Sequence, residues 1–200
     1  MLNIDTTGKV LHPRVTSSIS TTIERGDMKY INGIIVHQTD SYTAASSLNS
    51  YKNPKANGAH FLIDKDGSIY QTASVYKKTW HVGRLKARCL VESRCTATEL
   101  AALKRYNPTR ENNIETEKSV PDRYPSNMDS IGIELVGKAI TPPNDPKAKP
   151  TYEAVTVEQN DSLKWLIDEL RDTLKVPLSE VFRHPVVSRK NETEAATAQW

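Results

Sequence analysis

The run INGIIVHQTD limits the fold more than any other stretch. Residues 31–36 are mostly Ile and Val, and the chain turns polar at His37 without transition. A short β-branched run bounded by turn-forming residues reads as a buried strand, which sets His37 at its C-terminal end. SIGIELVG is a second strand, with Ile131, Ile133 and Leu135 on one face and Gly132, Glu134 and Val136 on the other. Elsewhere the spacing turns helical. SYTAASSLNSY carries Ala44, Ala45, Leu48 and Tyr51 at helical intervals, while TVEQNDSLKWLIDELRDTL lines one face with Leu163, Leu166, Ile167, Leu170 and Leu174. Thr156 and Gln159 at the start of the latter have capping-box spacing.

AHFLIDKDGSIYQTA holds two alternating runs about Asp66-Gly67, a dipeptide that tolerates the positive φ of a tight turn, and so predicts a β-hairpin. TATELAALKRY predicts a helix capped by Thr96 and Glu99, with Leu100, Leu103 and Tyr106 as its apolar stripe. The following NPTRENNIETEKSVPDRYPS is expected to be irregular surface, ITPPNDPKAKP a linker, and VPLSEVFRHP a last short strand or extended segment. The order of elements predicts an α/β fold, a single domain over 1–200 with a central mixed β-sheet flanked by helices.

The composition narrows the classes of partner. A formal charge of +3 from 27 basic and 24 acidic residues, with no long block of either sign, implies no nucleic-acid-sized basic surface. No apolar stretch approaches the about twenty residues of a membrane span, and MLNIDTTGKVLHP lacks a secretion leader, so the chain is expected to carry neither. Cys89 and Cys95, in RCLVESRC, are near enough to close a small disulfide loop in an oxidising compartment; two free thiols are the alternative.

FRHPVVSRKNETEA raises the question of chemistry, because His184, Lys190 and Glu192 fall close together. A catalytic zinc needs three protein ligands and one open position, drawn from neutral His, carboxylate or thiolate. His37 and His184 each follow a short apolar segment, so both can be held rigidly, and Glu192 can complete the set. A histidine taken alone is more often a hydrogen-bonded structural residue, so the surrounding pattern decides.

IIVHQT, AHFLIDKDGSIYQ, TWHVG, SIGIELVG and RHPVVSRKNE, in that order, resemble the zinc-dependent N-acetylmuramoyl-L-alanine amidases related to peptidoglycan recognition proteins. The likeness runs from Ile31 to Glu192, with 84–127 an atypical insertion. It implies Zn²⁺ held by His37, His184 and Glu192. It further implies Glu134 as the base that takes a proton from the attacking water, and Lys190 as the cation facing the oxyanion. His60 and His81 match family histidines and are expected to line the cleft or support the ligands. Trp80 and Tyr51 are candidates for stacking on sugar or peptide, or for the core.

Two departures stand out. The family's third ligand is usually Asp or Cys followed by Pro-Gly; here Glu192 takes its place without the Pro-Gly, leaving Glu194 as the rival. A tyrosine that precedes the first cleft histidine in some phage members is replaced by Ala59, which excludes a mechanism through that hydroxyl.

The resemblance implies hydrolysis of the amide between N-acetylmuramic acid and L-Ala of the stem peptide, with peptidoglycan as the partner. The altered RKNE segment admits a non-catalytic peptidoglycan-binding module as the alternative. The expected setting is a protein made in the cytoplasm that acts in a target cell's periplasm or at the wall after delivery. An antibacterial effector, which implies a cognate immunity protein, is expected first and an endolysin next; a cytosolic enzyme recycling muropeptides is the third setting, disfavoured if Cys89 and Cys95 are bonded.

Overall fold

The computed structural model describes residues 1–200. In chain order its first half comprises β1 (Val15–Ser17), β2 (Glu24–Asp27), β3 (Gly33–Gln38), α1 (Ala44–Ser50), β4 (Phe61–Ile63), β5 (Ile69–Gln71), β6 (Lys77–Thr79) and α2 (Arg88–Val91). There follow α3 (Ala97–Leu103), α4 (Pro108–Thr116), β7 (Ser130–Leu135), β8 (Ala139–Ile140), β9 (Thr151–Tyr152), α5 (Val157–Leu174), β10 (Val181–Arg183) and α6 (His184–Val187). Six strands form one sheet in the order β1-β5-β4-β7-β3-β10. Only β4 and β5 run antiparallel, as the two arms of the hairpin closed at Gly67, whose φ is +83°. The other pairings are parallel, so the sheet is mixed as expected.

One face of the sheet carries the main apolar core. Ile34, Val36, Phe61, Ile63, Ile131, Ile133 and Leu135 pack on Leu163, Leu166, Ile167 and Leu170 of α5 in one core cluster. Each such side chain contributes about 1.5–3 kcal/mol by leaving water. α5 begins at the capping box foreseen, Thr156 with Gln159.

The opposite face is covered in two separate places. Ile35 packs with Val82, Leu85, Tyr124 and Val187, while Leu62 packs with Ala44 and Val136. His37 and Glu134, which share that face, are covered by neither cluster. A polar cleft lies over them.

The segment 84–127 differs from expectation. NPTRENNIET is α4, not irregular surface: the Asn107 side chain accepts from Arg110 N–H at 3.0 Å, and Pro108 occupies the first turn. Its inward side chains are Glu111 and Glu115, both buried, which accept from the backbone N–H groups of Ala87 (2.6 Å) and Arg88 (3.2 Å). A helix docked through carboxylates shows no hydrophobic period, which is why pattern reading passes over it. The converse holds at α3, where the capping box forms but Leu100 and Tyr106 of the expected stripe are exposed. Cys89 and Cys95 are joined in the structure.

The Pro-rich stretch is likewise no free linker. β8 and β9 pair on either side of it, Ala139 opposite Tyr152, and Tyr152 N–H donates to Thr193 Oγ1 at 3.0 Å. This ribbon lies against the C-terminal segment.

Candidate active site

His37 and Glu134 are register partners on the adjacent parallel strands β3 and β7, so their side chains emerge side by side. β10 pairs with the other edge of β3, Arg183 opposite Val36, and His184 follows immediately, its ring centroid 4.2 Å from that of His37. After α6 the chain turns at Asn191, whose carbonyl accepts from Glu194 N–H at 2.9 Å. Gln38 Oε1 then accepts from Ala195 N–H at 2.8 Å, tying the turn to the end of β3. Glu194 is thereby buried against both histidines, with Oε1 2.8 Å from His184 Nδ1 and 3.5 Å from His37 Nδ1.

Glu192, the expected third member of this group, is not in it. Its side chain is 80% exposed and faces Lys86 at 3.7 Å. The turn directs residue 192 outward and residue 194 inward, so Glu194 stands where Glu192 was expected.

The hydrogen bonds around the histidines fix where their protons sit. His184 Nε2 lies 2.7 Å from the Val82 carbonyl, which can only accept, so Nε2 carries the proton and Nδ1 turns its lone pair on Glu194. His81 Nε2 faces the Ser130 carbonyl at 3.4 Å, leaving its Nδ1 to accept from His37 Nε2 at 2.9 Å. His37 Nδ1 is then also bare. Two imidazole lone pairs and a carboxylate converge, all within 4.8 Å of one another, with no donor among them. Such a buried set of acceptors is complete only with a cation, and two imidazoles with one carboxylate is a donor set suited to zinc. A second group, Cys89, Cys95 and Glu99, has no thiolate to offer because its sulfurs are bonded to each other.

The N-acetylmuramoyl-L-alanine amidase family matches residues 27–195. The chain belongs to that family. As an amidase it acts on peptidoglycan. No curated protein matches it in sequence. Among solved structures it is similar to the catalytic domain of XlyA, at 19% identity and TM-score 0.55, covering 90% of this chain and 88% of that one. It is also similar to AmpD, solved as its selenomethionine derivative, at 16% and 0.56 over 95% and 90%. A third is AmpDh3 from Pseudomonas aeruginosa in complex with anhydromuramic pentapeptide, at 20% and 0.52 over 95% and 60%. These likenesses show the fold, a central mixed sheet flanked by helices.

In this amidase the cleft holds about 530 Å³ and is lined mainly by polar residues, among them His37, His81, Glu134, His184, Lys190 and Glu194. Glu134 is the group most altered by its setting. Burial raises its carboxyl to about 8, the charge of Glu194 adds to this, and Lys190 opposes it. Its Oε2 is buried with no partner in the protein. Glu194 behaves oppositely: burial works to raise it, but the closeness of His184 and His37 outweighs burial and holds it at about 2. His37 is lowered to about 4, by burial first and by His184 second. The His37 imidazole is thus suited to ligation rather than to carrying charge. Lys190 is exposed at the cleft's rim and forms no ion pair.

His81 is set behind His37 by Asn127, whose Oδ1 accepts from the N–H groups of His81 (2.9 Å) and Val82 (2.7 Å). Gly132 makes room for it: a Cβ there would lie 2.7 Å from His81 Nδ1. His81 therefore orients a ligand, as expected of an outer histidine.

His60 does not line the cleft. It is fully buried, its Nε2 against the Lys77 carbonyl at 2.8 Å and its Nδ1 accepting from Gly132 N–H at 3.0 Å. It fastens β6 and β7 around the start of β4. Tyr51 is a core residue packed with Ile23 and Ala73, whereas Trp80 is 53% exposed at the cleft's edge under the Arg25 guanidinium. Tyr152, Asn57 and Asn127 also line the cleft. None was legible beforehand, because Asn57 and Asn127 come from polar connections without periodicity and Tyr152 from a strand of two residues.

Proposed function

We propose that this amidase hydrolyses the amide between N-acetylmuramic acid and L-Ala of the stem peptide with zinc held by His37, His184 and Glu194. The observation that carries the reading is the convergence of three buried acceptors with the proton of each imidazole directed away from their centre. Zinc bound there supplies Lewis acidity, polarising the carbonyl and acidifying water.

The chain's own residues supply the rest. Glu134, beside His37, accepts the proton of the attacking water and returns it to the leaving amine. The negative charge of Glu194 helps to hold Glu134 protonated near neutral pH; a cation that offsets Glu194 moves Glu134 down toward the range of a working base. Lys190, a cation without a partner at the rim, faces the oxyanion that develops on the carbonyl. Trp80 offers an aromatic face at the cleft's edge. The alternative of a mere recognition module rested on loss of the third ligand in RKNE, and Glu194 restores a carboxylate there.

We further propose that the protein works in the periplasm or at the wall of a target cell, as an antibacterial effector before an endolysin. The Cys89–Cys95 bond supports an oxidising working compartment. An effector in turn implies a cognate immunity protein in the producing cell.

Mass spectrometry of purified sacculi incubated with the protein, with and without chelator, tests the reaction. Stem peptides with a free L-Ala amino group are expected to be released only without chelator. Cleavage at another bond, or cleavage indifferent to chelator, refutes the mechanism.

A further inference from the structure

The cleft does not stop at Lys190. Gly83 and Lys190 line both the cleft and an adjoining hollow of about 440 Å³, whose remaining walls are Arg84, Pro108, Ser188 and Arg189. The backbone beneath is fixed. Leu85 bridges to Ser188, Ser188 Oγ donates to the Arg84 carbonyl at 2.8 Å, and Lys86 N–H donates to the Val187 carbonyl at 2.8 Å. These bonds set the segment carrying Arg84 beside the segment carrying Lys190. Arg84 follows by two residues Val82, whose carbonyl orients His184.

The charges in this region are unequally matched. Lys86 faces Glu192, and Arg189 is paired with Glu111 of α4. Arg84 and Lys190 have no carboxylate partner, and no acidic residue lines the hollow. Trp80, Asn57 and Asn127 line the cleft but not the hollow, so the cleft proper offers an aromatic face and neutral amides while its extension offers cations. A sugar and a peptide differ in the same sense. A sugar takes stacking and neutral hydrogen bonds, whereas a peptide arm carries carboxylates, which the guanidinium fork binds in bidentate fashion.

We infer that the hollow is a subsite for carboxylates on the peptide arm of the substrate, with Arg84 as its specificity-determining residue. The inference rests on the amidase reading and adds a direction to it: the sugar lies toward Trp80 and the peptide runs past Lys190 to Arg84. Segment 84–127 then contributes to substrate choice, since Pro108 of α4 forms one wall and Glu111 neutralises Arg189, leaving Arg84 as the free guanidinium beside Lys190.

The test uses the full zinc-loaded chain and two muramoyl peptides, one with free carboxylates and one with those carboxylates converted to carboxamides. Arg84→Met is expected to raise KM for the free acid about tenfold, the loss of one charge-assisted pair, with kcat unchanged. KM for the carboxamide is expected to stay as in the parent, and Arg84→Glu to weaken the free acid further. Equal changes on both substrates, or no change on either, overturn the subsite while leaving the amidase intact. Failure of the parent to cleave either substrate overturns the amidase reading and this inference with it.

Discussion

Replacing Glu194 by alanine is expected to remove zinc and abolish amide hydrolysis, while the same change at Glu192 leaves both within about twofold of the parent, as for an ordinary surface substitution. The contrast follows from the turn at Asn191. Glu194 is buried against His37 and His184, whereas Glu192 is 80% exposed and faces Lys86. Loss of an outer residue that merely supports a metal ligand costs about 10–100-fold in metal affinity, and loss of a ligand exceeds this. Zinc content per chain and turnover, measured on the two variants together, check the prediction. Zinc retained in Glu194→Ala and lost in Glu192→Ala would reverse the assignment.

Glu134→Gln is expected to lower kcat by roughly 10²–10⁴-fold, the usual contribution of a positioned base, with zinc still bound. The variant has a second signature in the chelated protein. Because burial raises Glu134 to about 8 from an ordinary 4.5, the folded chain holds a proton there that the unfolded chain has lost between those values. Stability from this group is full below pH of about 4.5 and declines as pH rises toward about 8. Glutamine has no proton to lose. The melting temperature of metal-free Glu134→Gln, relative to the parent, should therefore increase steadily from pH 5 to pH 8. Parallel melting curves across that range would show that Glu134 does not titrate as its burial requires.

The strands that carry His37 and Glu134 were legible because two chemical rules coincide in them. Apolar residues mark the buried face, and the period of two places every second residue opposite, so Glu134 had to leave the core face that Ile133 and Leu135 enter. His184 was legible for a related reason, standing at the end of the short segment Val181-Phe182-Arg183. The third acceptor was not. Whether residue 192 or 194 points inward is decided by a turn in which Asn191 accepts from Thr193 and Glu194, and spacing alone does not reveal such a turn. Likewise α4 hides because its buried contacts are the carboxylates Glu111 and Glu115, and Tyr152 because its strand is only two residues long. His60 shows the opposite limit. Its motif is informative, yet the ring holds backbone together and does not face the cleft.

The central claim is that one cation sits among His37, His184 and Glu194. Anomalous diffraction at the zinc edge from crystals of the zinc-loaded protein tests it most directly. The account predicts a peak about 2.0–2.2 Å from His37 Nδ1, His184 Nδ1 and a Glu194 carboxylate oxygen. A peak beside Glu192, or none among the three groups, would contradict it.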